Sequence, residues 1–169
     1  MQGSNTSGDI NTEVLETLRE VSELYFEHYT FVYNTIISYF FEKPVKPLIE
    51  LEAGFSHLMS VFYWNKKGEF KKSKKNLDRF KAHIERLLLD LYKLCFLKFS
   101  EKVIKLLESS EADLPELLKV NSTISDNFWE ARNYELQNMG AEKKEVLKEY
   151  KKRLENSLET FRQTGLLKK

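Results

Sequence analysis

The chain has 169 residues and a mass of 20.0 kDa, with 41% hydrophobic and 31% charged residues, six Gly, three Pro and a formal net charge of +1. Intrinsic disorder, collagen-like repeats and low complexity are excluded by that balance, and an all-β sandwich by the scarcity of turn-forming residues. An all-α fold built on a single core remains, because a chain of this length buries about 70% of its unfolded surface.

The expected domain is residues 11–165, preceded by a flexible segment 1–10 whose residues are mostly small and polar. That segment lacks the basic start and apolar core of a secretory signal. The most apolar stretch, Phe31 to Phe41, spans eleven residues and is interrupted by Asn34, Thr35 and Ser38. A membrane span requires about 20 apolar residues, so no membrane association and a cytoplasmic location are expected.

A first helix is predicted from Asn11 or Thr12 to Glu42, with Glu13 and Glu16 in its opening turn. One apolar stripe reads Val14, Leu18, Val21, Tyr25, Val32, Ile36 and Tyr39; a second reads Leu24, Phe31 and Phe40, flanked by Phe26, Tyr33, Ile37 and Phe41. A helix apolar on two sides requires cover on two sides. Pro44 and Pro47 end it, and Pro47 suits the first turn of a second helix that stops near Trp64. That helix carries Leu51, Phe55, Leu58 and Phe62 on one face and Glu50, Gly54, His57, Val61 and Trp64 on the next. Gly54 marks a place where another helix backbone comes close.

Residues 69–109 contain no Pro or Gly and predict one helix of about 40 residues, roughly 60 Å if unbroken. Asp113, Pro115 and Glu116 predict the start of a short helix to about Val120, followed by a polar connector over 121–127. The last helix or helix pair begins near Asp126, bends or caps at Gly140, and carries Leu147, Tyr150, Leu154, Leu158 and Phe161 as a narrow apolar line among charges. Four to six helices joined by short connections make an antiparallel helical bundle.

Charge is unevenly distributed along the chain. Residues 1–65 hold three basic and nine acidic side chains (−6), and residues 66–81 hold eight basic and two acidic (+6). Within the basic segment, Lys71, Lys72, Lys74, Lys75 and Arg79 form a candidate patch for anions or nucleic acid; the competing expectation is that they face the acidic first helix. Lysines outnumber the arginines that read bases, which favours the competing expectation.

His57 and Trp64 are the candidates for lining a small-ligand pocket. His28 falls in line with Val21, Tyr25 and Val32, as a core or interface histidine would, and His83 sits among Arg79, Arg86 and Asp90 on a charged rim. No Glu-x-x-His pair or helically spaced His pair points to a metal, no Gly-rich phosphate loop occurs, and no cofactor is expected. The only cysteine, Cys95, lies among Leu94, Phe96 and Leu97 and reads as a buried hydrophobe rather than a nucleophile. Arg132 and Asn133 resemble the opening of the Arg-polar…His motif of ribonucleases of the HEPN family. Gln137 stands where its His would close the motif and no His follows, so the acid–base group is missing.

Eight of the 22 aromatic residues crowd into positions 25–41. Aromatic side chains suit both cores and protein interfaces, and this surplus exceeds what one small core covers. The expected function is therefore a non-enzymatic protein-interaction or adaptor module, self-associating as a homodimer or binding another protein through Phe26, Tyr29, Phe31, Tyr33, Ile37, Phe40 and Phe41. Nucleic-acid binding through residues 66–81, and a ligand pocket or enzyme involving His57, Trp64 and tyrosines, are the alternatives.

Overall fold

The computed structural model describes residues 6–108, 114–140 and 142–164, with side chains from Thr12 onward. It is an all-α bundle. The elements are α1 (Thr6–Leu24), a π turn (Tyr25–Tyr29), α2 (Thr30–Phe40), α3 (Val45–Lys66), α4 (Phe70–Glu108), α5 (Leu114–Gln137) and α6 (Lys143–Gln163). None of the helices among the described residues is long and apolar enough to cross a membrane. The chain forms two compact units, Met1–Thr30 with Pro44–Leu88 and Phe31–Lys43 with Leu89–Lys169. Lacking any internal Pro or Gly, α4 runs through both as one 39-residue helix.

Helix α1 begins at Thr6, ahead of the predicted Asn11 or Thr12; residues 1–5 of the expected flexible segment lie outside the described residues. The π turn alters the predicted stripe. The Thr30 amide donates to the Tyr25 carbonyl, five residues back, so this turn holds one residue more than an α turn. Leu24 and His28 consequently face the core, whereas Tyr25, read as part of the stripe, is 43% exposed. Helix α2 stops where Phe41 adopts a left-handed conformation at φ 54°, its amide still bonded to the Ile37 carbonyl at 3.0 Å.

In the first unit α3 lies antiparallel to α4, as paired contacts Val61 with Ser73, His57 with Asn76, and Glu50 with His83 record. Their closest approach is at Gly54, where a Cβ would sit 3.2 Å from the His83 Cβ and 3.4 Å from the Phe80 ring. The absence of a side chain there is what lets the helices meet. Helix α1 runs parallel to α4, its Glu13 and Glu20 reaching Lys74 and Lys81. Val21, Leu24, Val61, Leu77, Phe80, Ile84, Leu87 and Leu88 are buried here, each gaining about 1.5–3 kcal/mol from removal from water.

In the second unit α5 and α6 pair antiparallel, through Asn127 with Ser157 and Glu135 with Tyr150. The predicted line Leu147, Tyr150, Leu154, Leu158 and Phe161 is buried throughout. The predicted connector at 121–127 is helix instead, and α5 is continuous across it. Leu117, Val120, Ile124, Asn127 and Ala131, spaced by three and four, are all buried. The polar residue in that line is satisfied: the Asn127 side-chain amide donates to the Ser157 hydroxyl at 3.1 Å, and Thr123 back-bonds to the Lys119 carbonyl. Asp113, the predicted cap, lies outside the described residues.

Candidate functional site

The face of α3 predicted to pack, Leu51, Phe55, Leu58 and Phe62, is not the one that meets α4. The small-residue face carries that contact, with Gly54 and Val61 buried against α4, and this turns Phe55 and Phe62 outward. Val45 (68%), Ile49 (61%), Phe55 (56%), Met59 (45%), Phe62 (56%) and Tyr63 (56%) are all exposed. At 100° per residue they fall within about 140° of arc on one side of α3. Glu52 is exposed near the middle of that arc.

Along one edge of the α3–α4 seam lies a polar cluster. The Asn76 amide nitrogen donates to the Lys72 carbonyl at 2.8 Å, so the Asn76 oxygen faces His57 and accepts from its Nδ1–H at 2.9 Å. His83 donates from Nδ1–H to the Glu50 carboxylate at 2.7 Å, and the two imidazoles stack with centroids 5.3 Å apart. Arg86 stands 3.7 Å from the same carboxylate. Trp64 follows along the edge, with the Lys72 ammonium 4.5 Å from its ring centre. Both pocket candidates therefore sit in one cluster, tied to α4 by a hydrogen bond, a ring stack and a cation–π contact.

The basic segment divides by helix face. Lys74 pairs with Glu13 and Lys81 with Glu20, on the side of α4 facing α1; Lys72 lies 3.5 Å from Glu69. Glu13 holds the Lys74 ammonium above its ordinary range, by hydrogen bond first and charge second. Lys71, Lys75 and Arg79 recur every fourth residue, exposed and without an ion pair among the described residues. Helical spacing places Lys75 and Arg79 on the edge of α4 beside Asn76 and Lys72, the side of the seam from which Tyr63 and Ile49 continue across α3.

The aromatic residues of the first helix are distributed between the two units. Phe26 and Tyr29 belong to the first, Phe31, Tyr33, Ile37, Phe40 and Phe41 to the second. Phe26 (69% exposed) and Phe41 (89%) stand free in solvent. Tyr29 stacks on Tyr25 at 5.0 Å, Phe40 meets Phe99 edge-on at 4.8 Å, and Phe31 lies under the Lys151 ammonium at 5.4 Å. Tyr33 and Ile37 are half-buried.

In the second unit one carboxylate is a hub that sequence reasoning missed. Glu135, buried on α5, accepts from the Tyr150 hydroxyl at 2.7 Å, Arg132 at 2.6 Å and Lys93 at 3.1 Å. Burial opposes its charge, yet the three donors outweigh burial and hold it below the ordinary glutamate range. Arg132, half of the ribonuclease-like dipeptide, is thus committed to a structural ion pair; a Glu three residues on was the signal available in the sequence. Burial likewise raises the Tyr92 phenol and the Cys95 thiol, which suppresses the thiolate a nucleophile requires. A cleft of about 170 Å³ opens among Tyr39, Phe40, Glu42, Lys98 and Lys102, and one of about 490 Å³ among Pro115, Lys119, Thr160 and Gln163. Neither includes His57 or Trp64. Among the described residues no group of three or more His, Cys, Asp or Glu side chains is placed to hold a metal ion. Comparison with protein-family models, curated proteins and solved structures finds no match, so no relative lends this surface a role.

Proposed function

We propose that this chain is a non-enzymatic, cytoplasmic helical module that binds protein through the outward face of α3. One observation carries the proposal: six apolar side chains, each at least 45% exposed, lie along one side of a single helix. Contiguous apolar patches of this kind on monomers mark interaction sites, whereas scattered exposed apolar residues do not. The lone buried Cys95 suits a reducing compartment. Sedimentation velocity at micromolar concentration tests self-association. A 40 kDa species that Phe55→Ser with Phe62→Ser returns to 20 kDa would identify a homodimer through α3, and 20 kDa throughout assigns the partner to another chain. A dimer indifferent to those substitutions overturns the assignment of α3.

A second reading, nucleic-acid binding, is favoured by the exposed line of Lys71, Lys75 and Arg79. Three neutralised phosphates predict a salt slope of about −3 on a log–log plot for duplex DNA. Fluorescence anisotropy with labelled duplex and single-stranded oligonucleotides reads it; binding unchanged by Lys71→Glu, Lys75→Glu and Arg79→Glu eliminates this reading.

A further inference from the structure

We infer that the occupant of the α3 face is an amphipathic helix of another protein, bearing carboxylates along one flank and a single basic residue within its apolar stripe. The inference rests on the interaction-module reading and specifies its partner. Size is the first argument. Helix α3 has 22 residues, hence a face about 33 Å long. One helix width of about 12 Å makes this roughly 400 Å², half the ~800 Å² per partner of a stable protein–protein interface. An area of that size matches a helix laid along its apolar side chains better than it matches a second folded copy.

Charge is the second argument. Any two-fold pairing of α3 with itself sets cations on cations, since Lys46 opens the helix and Lys66 and Lys67 close it. Parallel copies bring each lysine beside its own equivalent, and antiparallel copies bring Lys46 onto the Lys66 end. An acidic partner meets no such repulsion. Its flank would face Lys71, Lys75 and Arg79, which lie across the seam from Ile49 and Tyr63 and are not taken up by α1 as Lys74 and Lys81 are. Glu52 is the third argument. At the centre of the apolar arc it disfavours a lipid surface, because insertion would drag a carboxylate into the acyl boundary. A basic residue opposite Glu52 satisfies it and fixes the register of the partner helix, as single polar positions do in paired helices.

Two labelled 21-residue helical peptides test the inference. They share one leucine stripe with a central lysine and differ only in carrying glutamate or lysine along one flank. Fluorescence anisotropy with the full chain in 50 mM NaCl is expected to give at least about ten-fold tighter binding of the glutamate peptide, the gap narrowing in 500 mM NaCl. Lys71→Glu, Lys75→Glu and Arg79→Glu together should reverse the preference, and Phe55→Ser with Phe62→Ser should abolish binding of both peptides. Far-ultraviolet circular dichroism confirms that the serine variant is folded; Met59→Gln replaces it if not. Equal affinity for the two peptides, lost in the serine variant, overturns the acidic partner while leaving the interaction module standing. No binding of either peptide, or binding untouched by the serine or glutamine variant, overturns both. Tighter binding of oligo-dT or of phosphatidylserine vesicles through the same phenylalanines, or a dimer dissolved by the serine variant, assigns the face to another occupant and ends the proposal.

Discussion

Phe41 has two local costs at once: a left-handed backbone at φ 54° and a ring that is 89% exposed. An L side chain in that conformation is disfavoured by about 1 kcal/mol, and glycine is the usual residue where a helix ends this way. Phe41→Gly is therefore expected to stabilise the chain by about 1 kcal/mol and raise the melting temperature by about 2–4 °C in a thermal scan. An unchanged or lower melting temperature would show that the ring makes stabilising contacts of its own. Gly54 predicts the opposite. Alanine in mid-helix normally gains about 1 kcal/mol over glycine, but here its Cβ would meet the His83 Cβ at 3.2 Å. That Cβ is fixed to the α4 backbone and gives way only if the helix moves. Gly54→Ala should bring no gain in urea denaturation, and Gly54→Leu a loss of about 1–3 kcal/mol, the range for overpacking. Gly140 has nothing within 4 Å of an added Cβ, so Gly140→Ala is the matched control. A Gly54→Leu midpoint equal to wild type would remove the close approach from the account of α3 and α4.

The α5–α6 pair turns on the contacts of Glu135. Its carboxyl titrates below the ordinary 4.5 in the folded chain because the donors Tyr150, Arg132 and Lys93 outweigh burial. A depressed folded value means the stabilisation is fully present above about pH 4.5 and is lost as pH falls through the folded value. Glu135→Gln should therefore cost about 1–2 kcal/mol at pH 7, and the gap from wild type should close by pH 3. Denaturant unfolding at the two pH values measures it; a gap that stays constant would mean the carboxylate charge contributes nothing. The same pair shows how far the elements were legible in the sequence. Leu147 to Phe161 could be read because every inward position of α6 is apolar or aromatic, and α4 because 39 residues pass without Pro or Gly. Residues 121–127 were misread because Asn121, Ser122, Thr123 and Asn127 have loop propensities, while the feature that decides, Asn127 bonded to Ser157 across the pair, is tertiary. Leu117, Val120 and Ile124 nevertheless carry the helical spacing through the apparent break. For α3 the two faces were both visible, and Gly54 correctly marked the close contact. The apolar weight of Leu51, Phe55, Leu58 and Phe62 pointed to the wrong side, since periodicity identifies faces without saying which is covered.

Across the whole chain, the formal +1 is the residue of a −6 segment at 1–65 and a +6 segment at 66–81. Part of that opposition is consumed internally, through Glu13 with Lys74 and Glu20 with Lys81, two pairs seven residues apart on parallel helices. Lys71, Lys75 and Arg79 have no such role among the described residues. Lys71 also lies in the first turn of α4, where a cation opposes the helix dipole and an acid would favour it. Charge reversal should separate the two sets. Lys74→Glu with Lys81→Glu sets like charges against α1 and should lower the melting temperature in 20 mM salt, the deficit shrinking in 500 mM as screening rises. Lys71→Glu, Lys75→Glu and Arg79→Glu should leave the melting temperature unchanged or raise it. If the second triple substitution destabilises as much as the first pair, these cations serve the fold and the partner surface loses its charged half. If it does not, the chain carries a line of cations that its own stability does not require, and only a molecule outside the chain gives that line a purpose.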